Sequence, residues 1–124
     1  MTTQAVEVFY AVGHHLIENE QFHDAAIVLR AMIVASPTDP RGWLALSQCH
    51  EEIDQLMIAK ELLAAGRTVV VPDVRLGLAL ARRMRLVGEH GTIRDQLLDE
   101  VEEGLLRDPN EDLLRHLELE RCAS

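Results

Sequence analysis

Apolar residues recur along the chain at three- and four-residue intervals: Phe9, Val12 and Leu16, then Ala25, Ile27, Leu29, Met32 and Ile33, then Trp43 and Leu46. That spacing belongs to helices with one buried stripe. The interruptions are polar or carry Pro or Gly: Glu18 to Gln21, Ser36-Pro37-Thr38-Asp39-Pro40, Glu52 to Gln55, Val71-Pro72-Asp73, Gly88-Glu89-His90-Gly91 and Asp108-Pro109-Asn110. Each predicts a helix end. The chain is therefore expected to be all-α, with about seven helices of about twelve to sixteen residues. Thr68 to Val71 has a strand-like composition. With no partner strand elsewhere, it reads as the frayed end of a helix before Pro72.

Set against itself at an offset of 34 residues, the chain repeats. Phe9 meets Trp43, Val12 meets Leu46, Gly13 meets Ser47, Leu16 meets His50, Glu20 meets Asp54, Ala25 meets Ala59, Leu29 meets Leu63 and Met32 meets Gly66. Size and polarity class agree at most of these pairs. Phe9-x-x-Val12-Gly13-x-x-Leu16, followed by Ala25, Leu29, Met32 and Pro37, resembles the tetratricopeptide repeat, a helix-turn-helix unit of this length. Small residues at Gly13 and Ser47, with Ala25 and Ala59 across from them, let the paired helices approach closely. Phe9 and Trp43 are expected to fill the volume between successive units. One helix pair cannot cover its own apolar face, so copies must stack.

A third copy keeps register through its first helix, where Gly77, Leu80, Ala81 and Met84 follow the same offset, and keeps a Gly in its turn at Gly88. Its second helix, from about Thr92 to Arg107, has Ile93 where a small residue belongs. Asp108-Pro109-Asn110-Glu111 then reads as a helix start, with Asp108 as the cap and Pro109 first in the helix. The last helix sets Leu113, Leu114 and Leu117 on one side, with Glu111, Arg115, Glu118 and Glu120 elsewhere, and is expected to seal the array. The resemblance thus implies one domain over residues 1–124, a helical solenoid with repeats at about 6–39, 40–73 and 74–107 and a capping helix at about 110–121.

Repeats of this kind line a concave surface with their first helices. The residues expected there are Glu7, Tyr10, His14 and Ile17, then Arg41, Leu44, Gln48 and Glu51, then Arg75, Leu78, Arg82 and Arg85. They give an apolar row, Tyr10, Leu44 and Leu78, beside the polar row His14, Gln48 and Arg82. Such an arrangement suits an extended peptide, since pockets take alternate side chains and polar groups hold the backbone. Any surface helix shows some such mixture, and Arg75, Arg82, Arg83 and Arg85 also serve to offset the acidic helix that follows. Family members that clamp a carboxylate use Lys and Asn on these helices, whereas this chain carries Tyr10 and His14.

The run from Tyr10-Ala-Val-Gly13 to Phe22-His-Asp-Ala25-Ala26, followed by Leu44-Ala-Leu46-Ser-Gln-Cys49, resembles the first two repeats of the small acidic chaperones that handle type III secretion translocators. The likeness runs from about Val6 to Val87. It departs from that family in the short stretch before the repeats and in the divergent last pair. It implies a cytoplasmic, non-enzymatic bacterial chaperone that holds an extended translocator segment and can form a homodimer or heterodimer. Tyr10, His14, Ile17, Leu44, Gln48, Leu78 and Arg82 are the expected groove residues. The alternative is a scaffold or assembly subunit that docks through its outer helices or its C-terminal end.

Composition narrows these readings. The 124 residues are 48% hydrophobic but only 3% aromatic, so the core is aliphatic and suits close helix packing. Twelve basic residues against 21 acidic ones leave a net charge of −9, which disfavours nonspecific nucleic-acid binding. Met1 to Val6 has no secretory signal pattern, and no apolar run approaches the ~20 residues of a spanning helix, so no membrane insertion is expected. Cys49 and Cys122 stand alone, without metal-ligand spacing. His14 and His15 are neighbours, pointing about 100° apart on a helix, unlike a metal-binding i,i+4 pair. His50 is expected to be buried or half-buried, and His23, His90 and His116 to lie on turns or surface. Glu51-Glu52 and Glu100, Glu102 and Glu103 read as solvated helix faces. With no phosphate-binding Gly loop and no nucleophile elbow, neither a catalytic residue nor a metal or other cofactor is expected.

Overall fold

The computed structural model describes residues 3–123. Met1, Thr2 and Ser124, the ends of the predicted domain, lie outside the described residues. Seven α-helices and no strand occur among the described residues: α1 (Thr3–Glu18), α2 (Phe22–Ala35), α3 (Pro40–Glu52), α4 (Leu56–Val69), α5 (Val74–Leu86), α6 (Thr92–Arg107) and α7 (Glu111–Cys122). Thr68 and Val69 do end a helix, and Val70 turns extended behind them. The chain gathers into two compact units, residues 1–71 and 72–124.

The repeat is written into the turns. Glu20, Asp54 and Gly88, each 34 residues after the last, hold the left-handed conformation at φ 58°, 63° and 84°. The next residue closes each turn identically, with Gln21 N donating to Leu16 O, Gln55 N to His50 O and Glu89 N to Met84 O, all at 2.8 Å. This is the helix-ending arrangement in which a left-handed residue lets the following amides satisfy the last carbonyls. Helix starts repeat as well. Asp39 and Asp73 cap α3 and α5, each accepting from the amide two residues on.

In unit 1, α1 to α4 enclose a core that includes Ala25, Leu29, Met32, Leu46 and Cys49. The close approaches predicted at small residues are present, with different neighbours. A Cβ on Gly13 would stand 2.7 Å from Leu29 Cδ2, so the helix crossing is set by Gly13 against Leu29, one turn beyond Ala25. Trp43 fills the space over Gly66 of its own helix pair, where a Cβ would stand 2.8 Å from the indole ring. Its Nε1 donates to Pro37 O at 2.8 Å.

In unit 2 the large and small partners exchange sides. Gly77 takes the place of Trp43, and the volume is supplied from the other helix by Val101, whose methyl would lie 2.7 Å from a Cβ at Gly77. Helix α6 opens at Thr92, two residues past position 90 that the period would give. That displacement turns Ile93 outward, 76% exposed, which explains why a large residue is tolerated where Ala25 and Ala59 are fully buried.

Two expectations for the last helix are corrected. Its cap is Asn110, whose side chain accepts from Leu113 N, while Asp108 ends α6 and Pro109 stays outside both helices. A side chain that reaches the free amides of the first turn favours the helix start beside it, and here that residue is Asn110. Glu120, assigned to the polar face, is only 6% exposed. It follows Leu113 and Leu117 at spacings of four and three, and so lies on the stripe that turns inward.

Candidate functional site

Unit 1 carries five of the predicted groove residues. Tyr10 and Ile17 rest half-buried on the core, Leu44 is half-buried on α3, and His14 and Gln48 are exposed. Arg41 organises the surface around them. Its guanidinium lies 4.7 Å from the centre of the Tyr10 ring. It donates to both Glu7 carboxylate oxygens, at 2.6 and 3.0 Å, and to Asp39 at 2.8 Å. The planar fork suits this two-pronged contact, and the ring face adds cation–π attraction. Glu7 and Arg41 occupy the same position in successive repeats, so the pair ties α1 to α3 across the repeat boundary. The hydrogen bonds from Arg41 hold the Glu7 carboxyl below its ordinary range, and those same acids raise the pKa of Arg41. The His14 ring lies 6.0 Å from that of Tyr10, and His14 Nδ1 is 3.1 Å from Glu18.

His50 is buried, as expected, and its partners define its protonation geometry. Arg30 Nη2 can only donate, so at 3.1 Å it requires a lone pair on His50 Nε2. The ring proton is then on Nδ1, which donates to Gln55 Oε1 at 2.7 Å. The residue is a structural peg between α2, α3 and the turn after α3. Cys49 is fully buried, and desolvation pushes its thiol up from an ordinary 9.0 to about 11, so little thiolate exists at neutral pH. His23, His90 and His116 are exposed. Among the described residues, no group of three His, Cys, Asp or Glu side chains is placed to hold a metal ion. No described helix is long and apolar enough to cross a membrane.

Unit 2 carries the other two, Leu78 and Arg82, in a different setting. Leu78 is 6% exposed, so it forms the floor of a recess instead of a raised apolar row. The recess is an open cavity of about 610 Å³ between α5 and α7. Helix α5 contributes Leu78, Ala79 and Arg82, and α7 contributes Leu113, His116 and Leu119. Sequence reasoning found the α5 wall and missed the α7 wall, because it treated α7 as a seal.

Helix α7 is anchored at its C-terminal end. Arg85 Nε donates to Glu120 Oε2 at 2.9 Å and its Nη2 to Oε1 at 3.2 Å. Arg94, 6% exposed, donates from Nε to Ala81 O at 3.0 Å and from Nη2 to Glu120 O at 3.1 Å. Its Nη2 also lies 3.4 Å from the Glu120 carboxylate. Arg94 therefore fills the crossing left open by the displaced start of α6 and joins α5, α6 and α7. Of the predicted basic cluster, Arg85 is paired with Glu120, Arg75 with Asp73 at 3.1 Å, and Arg83 is buried. Arg82 is exposed and lines the cavity.

Helix pairs repeated at 34 residues, left-handed turns in register and an added terminal helix define a tetratricopeptide-like, all-α chain. Among solved structures it is similar to the type III secretion translocator chaperone SycD of Yersinia enterocolitica, with a TM-score of 0.81 at 19% identity over 99% of this chain and 86% of that one. It is also similar to SycD in complex with a peptide of the translocator YopD, with a TM-score of 0.77 at 19% identity over 97% of this chain and 95% of that one. PcrH from Pseudomonas aeruginosa gives 0.79 at 16% identity over 98% of this chain and 96% of that one. At these identities the likeness is one of fold. No protein-family model matches the sequence, and no curated protein matches it.

Proposed function

We propose that this chain is a non-enzymatic, cytoplasmic peptide-binding chaperone for a type III secretion translocator. The observation that carries this reading is the likeness of fold, over 97% of the chain, to a translocator chaperone holding a translocator peptide. The residues support it: Tyr10, Ile17 and Leu44 offer half-buried apolar surface in unit 1, with His14 and Gln48 as exposed polar neighbours. Leu78 and Arg82 offer the corresponding chemistry in unit 2. Apolar recesses edged by donors take the side chains and the backbone of an extended segment respectively.

The test is co-expression with segments of a type III translocator from the same host, read by co-purification. A stable complex that is lost on Leu44→Glu is the expected result. A complex that survives Leu44→Glu but disappears when residues 112–124 are removed would favour the scaffold reading instead. No complex with any translocator segment would overturn the chaperone assignment.

A further inference from the structure

We propose that Arg41 is a positioning residue for peptide binding: it holds the Tyr10 ring in place, so that this part of the unit 1 surface is formed before a client segment arrives. The proposal rests on the peptide-binding reading and adds to it a residue that acts through another.

Tyr10 is the only tyrosine of the chain, half-buried on α1, with part of its side chain against the core of unit 1. A half-exposed aromatic side chain left to itself can swing, and ordering it when a segment binds costs affinity. A ring that is already fixed carries no such cost. What fixes Tyr10 comes from the next repeat. The guanidinium of Arg41, in the first turn of α3, lies 4.7 Å from the ring centre, inside the ~6 Å reach of cation–π attraction.

Arg41 is itself held from every side. Its Nε donates to Asp39 Oδ1 at 3.1 Å and its Nη2 to Asp39 Oδ2 at 2.8 Å, while Nη1 and Nη2 donate to the two Glu7 oxygens at 3.0 and 2.6 Å. Asp39 is in turn fixed as the cap of α3, accepting from Arg41 N at 3.0 Å. All three guanidinium nitrogens are thus engaged. Guanidinium hydrogens point outward in the plane of the group, so these bonds use its edges and leave its flat face for Tyr10. Glu7 and Tyr10 stand three residues apart on α1 and are therefore neighbours on one helix face. One side chain of α3 meets both, the carboxylate with its edge and the ring with its face. With two carboxylates balancing it, Arg41 offers a client no uncompensated charge. Its effect on binding passes through the ring it holds.

The experiment is a double-mutant cycle on the full chain, with overlapping fluorescein-labelled peptides that tile a type III translocator of the same host, titrated by anisotropy. Arg41→Gln is expected to weaken the best-binding tile about fivefold, the scale of one cation–π contact at a partly exposed site. In a Tyr10→Leu background the same substitution should have no further effect, since interacting residues are not additive. A second readout uses chain labelled with 3-fluorotyrosine, whose one fluorine resonance belongs to Tyr10. Arg41→Gln should shift that resonance before any peptide is added. Folding of each variant is checked by circular dichroism. Should Arg41→Gln not fold, Arg41→Lys, which keeps a cation between the carboxylates without the flat face, takes its place with the same expectations. An equal loss of affinity with and without Tyr10 would mean that Arg41 acts through the α1–α3 pairing alone, and overturns the proposal, as does an unmoved fluorine resonance. Affinity that withstands Arg41→Gln but falls with Leu44→Glu overturns it too and leaves the peptide-binding reading standing. No binding of any tile overturns both.

Discussion

At Gly13 a single hydrogen in place of a methyl group sets the distance between two helices. Leu29, against which it packs, is fully buried and has nowhere to move. Gly13→Ala is therefore expected to destabilise the protein by about 1–3 kcal/mol, the usual cost of overpacking a core, measured by urea denaturation. The turn residues predict the opposite sign. Glu20 carries a side chain in the left-handed conformation that Gly88 adopts in the third repeat, at a cost of roughly 1–2 kcal/mol. Glu20→Gly should raise stability by up to about 1 kcal/mol, since added freedom in the unfolded chain offsets part of the gain. The cysteines divide by burial. Cys122 should react quickly with a thiol reagent, and Cys49 only after denaturation. Because the folded protein holds the Cys49 thiol neutral up to about pH 11 while the unfolded chain ionises it near 9.0, its contribution to stability is complete below pH 9 and is lost as pH rises between those values. Alkaline thermal melts of the protein and its Cys49→Ala variant should diverge across that window.

Elements meet through polar contacts of two kinds. His50 lies on α3 where repeats one and three have Leu16 and Met84, and its partners Arg30 and Gln55 are both exposed. His50→Leu leaves neither partner buried and unsatisfied, so a change in stability within about 1 kcal/mol is expected by thermal melting. Glu120 is the contrasting case. Its removal leaves Arg94 buried with a charge and fewer partners, and Glu120→Ala should destabilise unit 2 by about 3 kcal/mol. Hydrogen exchange should then show lost protection in α7 first. The Glu7–Arg41 pair between α1 and α3 responds to acid. A carboxyl whose pKa is lowered on folding stabilises the fold above its unfolded value and loses that contribution as pH falls through the folded one. Glu7 should accordingly titrate below 4.5 in a carboxyl-detected NMR titration, and Arg41→Gln should raise it, because desolvation and the Asp39 carboxylate, the influences left behind, both act upward.

At the scale of the whole molecule, charge follows composition and the candidate site does not. With an isoelectric point near 5.0, solubility should pass through a minimum close to pH 5, a turbidity measurement. The acidic excess was plain from counting residues. That arginines of α5 face Leu113, His116 and Leu119 of α7 across one recess was not, because the two walls meet only after α7 has docked.

The sequence by itself determined the seven helices, the 34-residue period, the identity of the turn residues and the α5 side of the unit 2 recess. These are local properties: the amphipathic spacing of a helix and the left-handed residue of a turn each depend on a few neighbouring residues. Tertiary structure alone decided the burial of Arg94 and Glu120, the partner of Gly13 and the α7 wall of the cavity. Each depends on residues far apart in the chain, and in unit 2 also on the later start of α6. It turns Ile93 into solvent and brings Arg94 against α5 and α7.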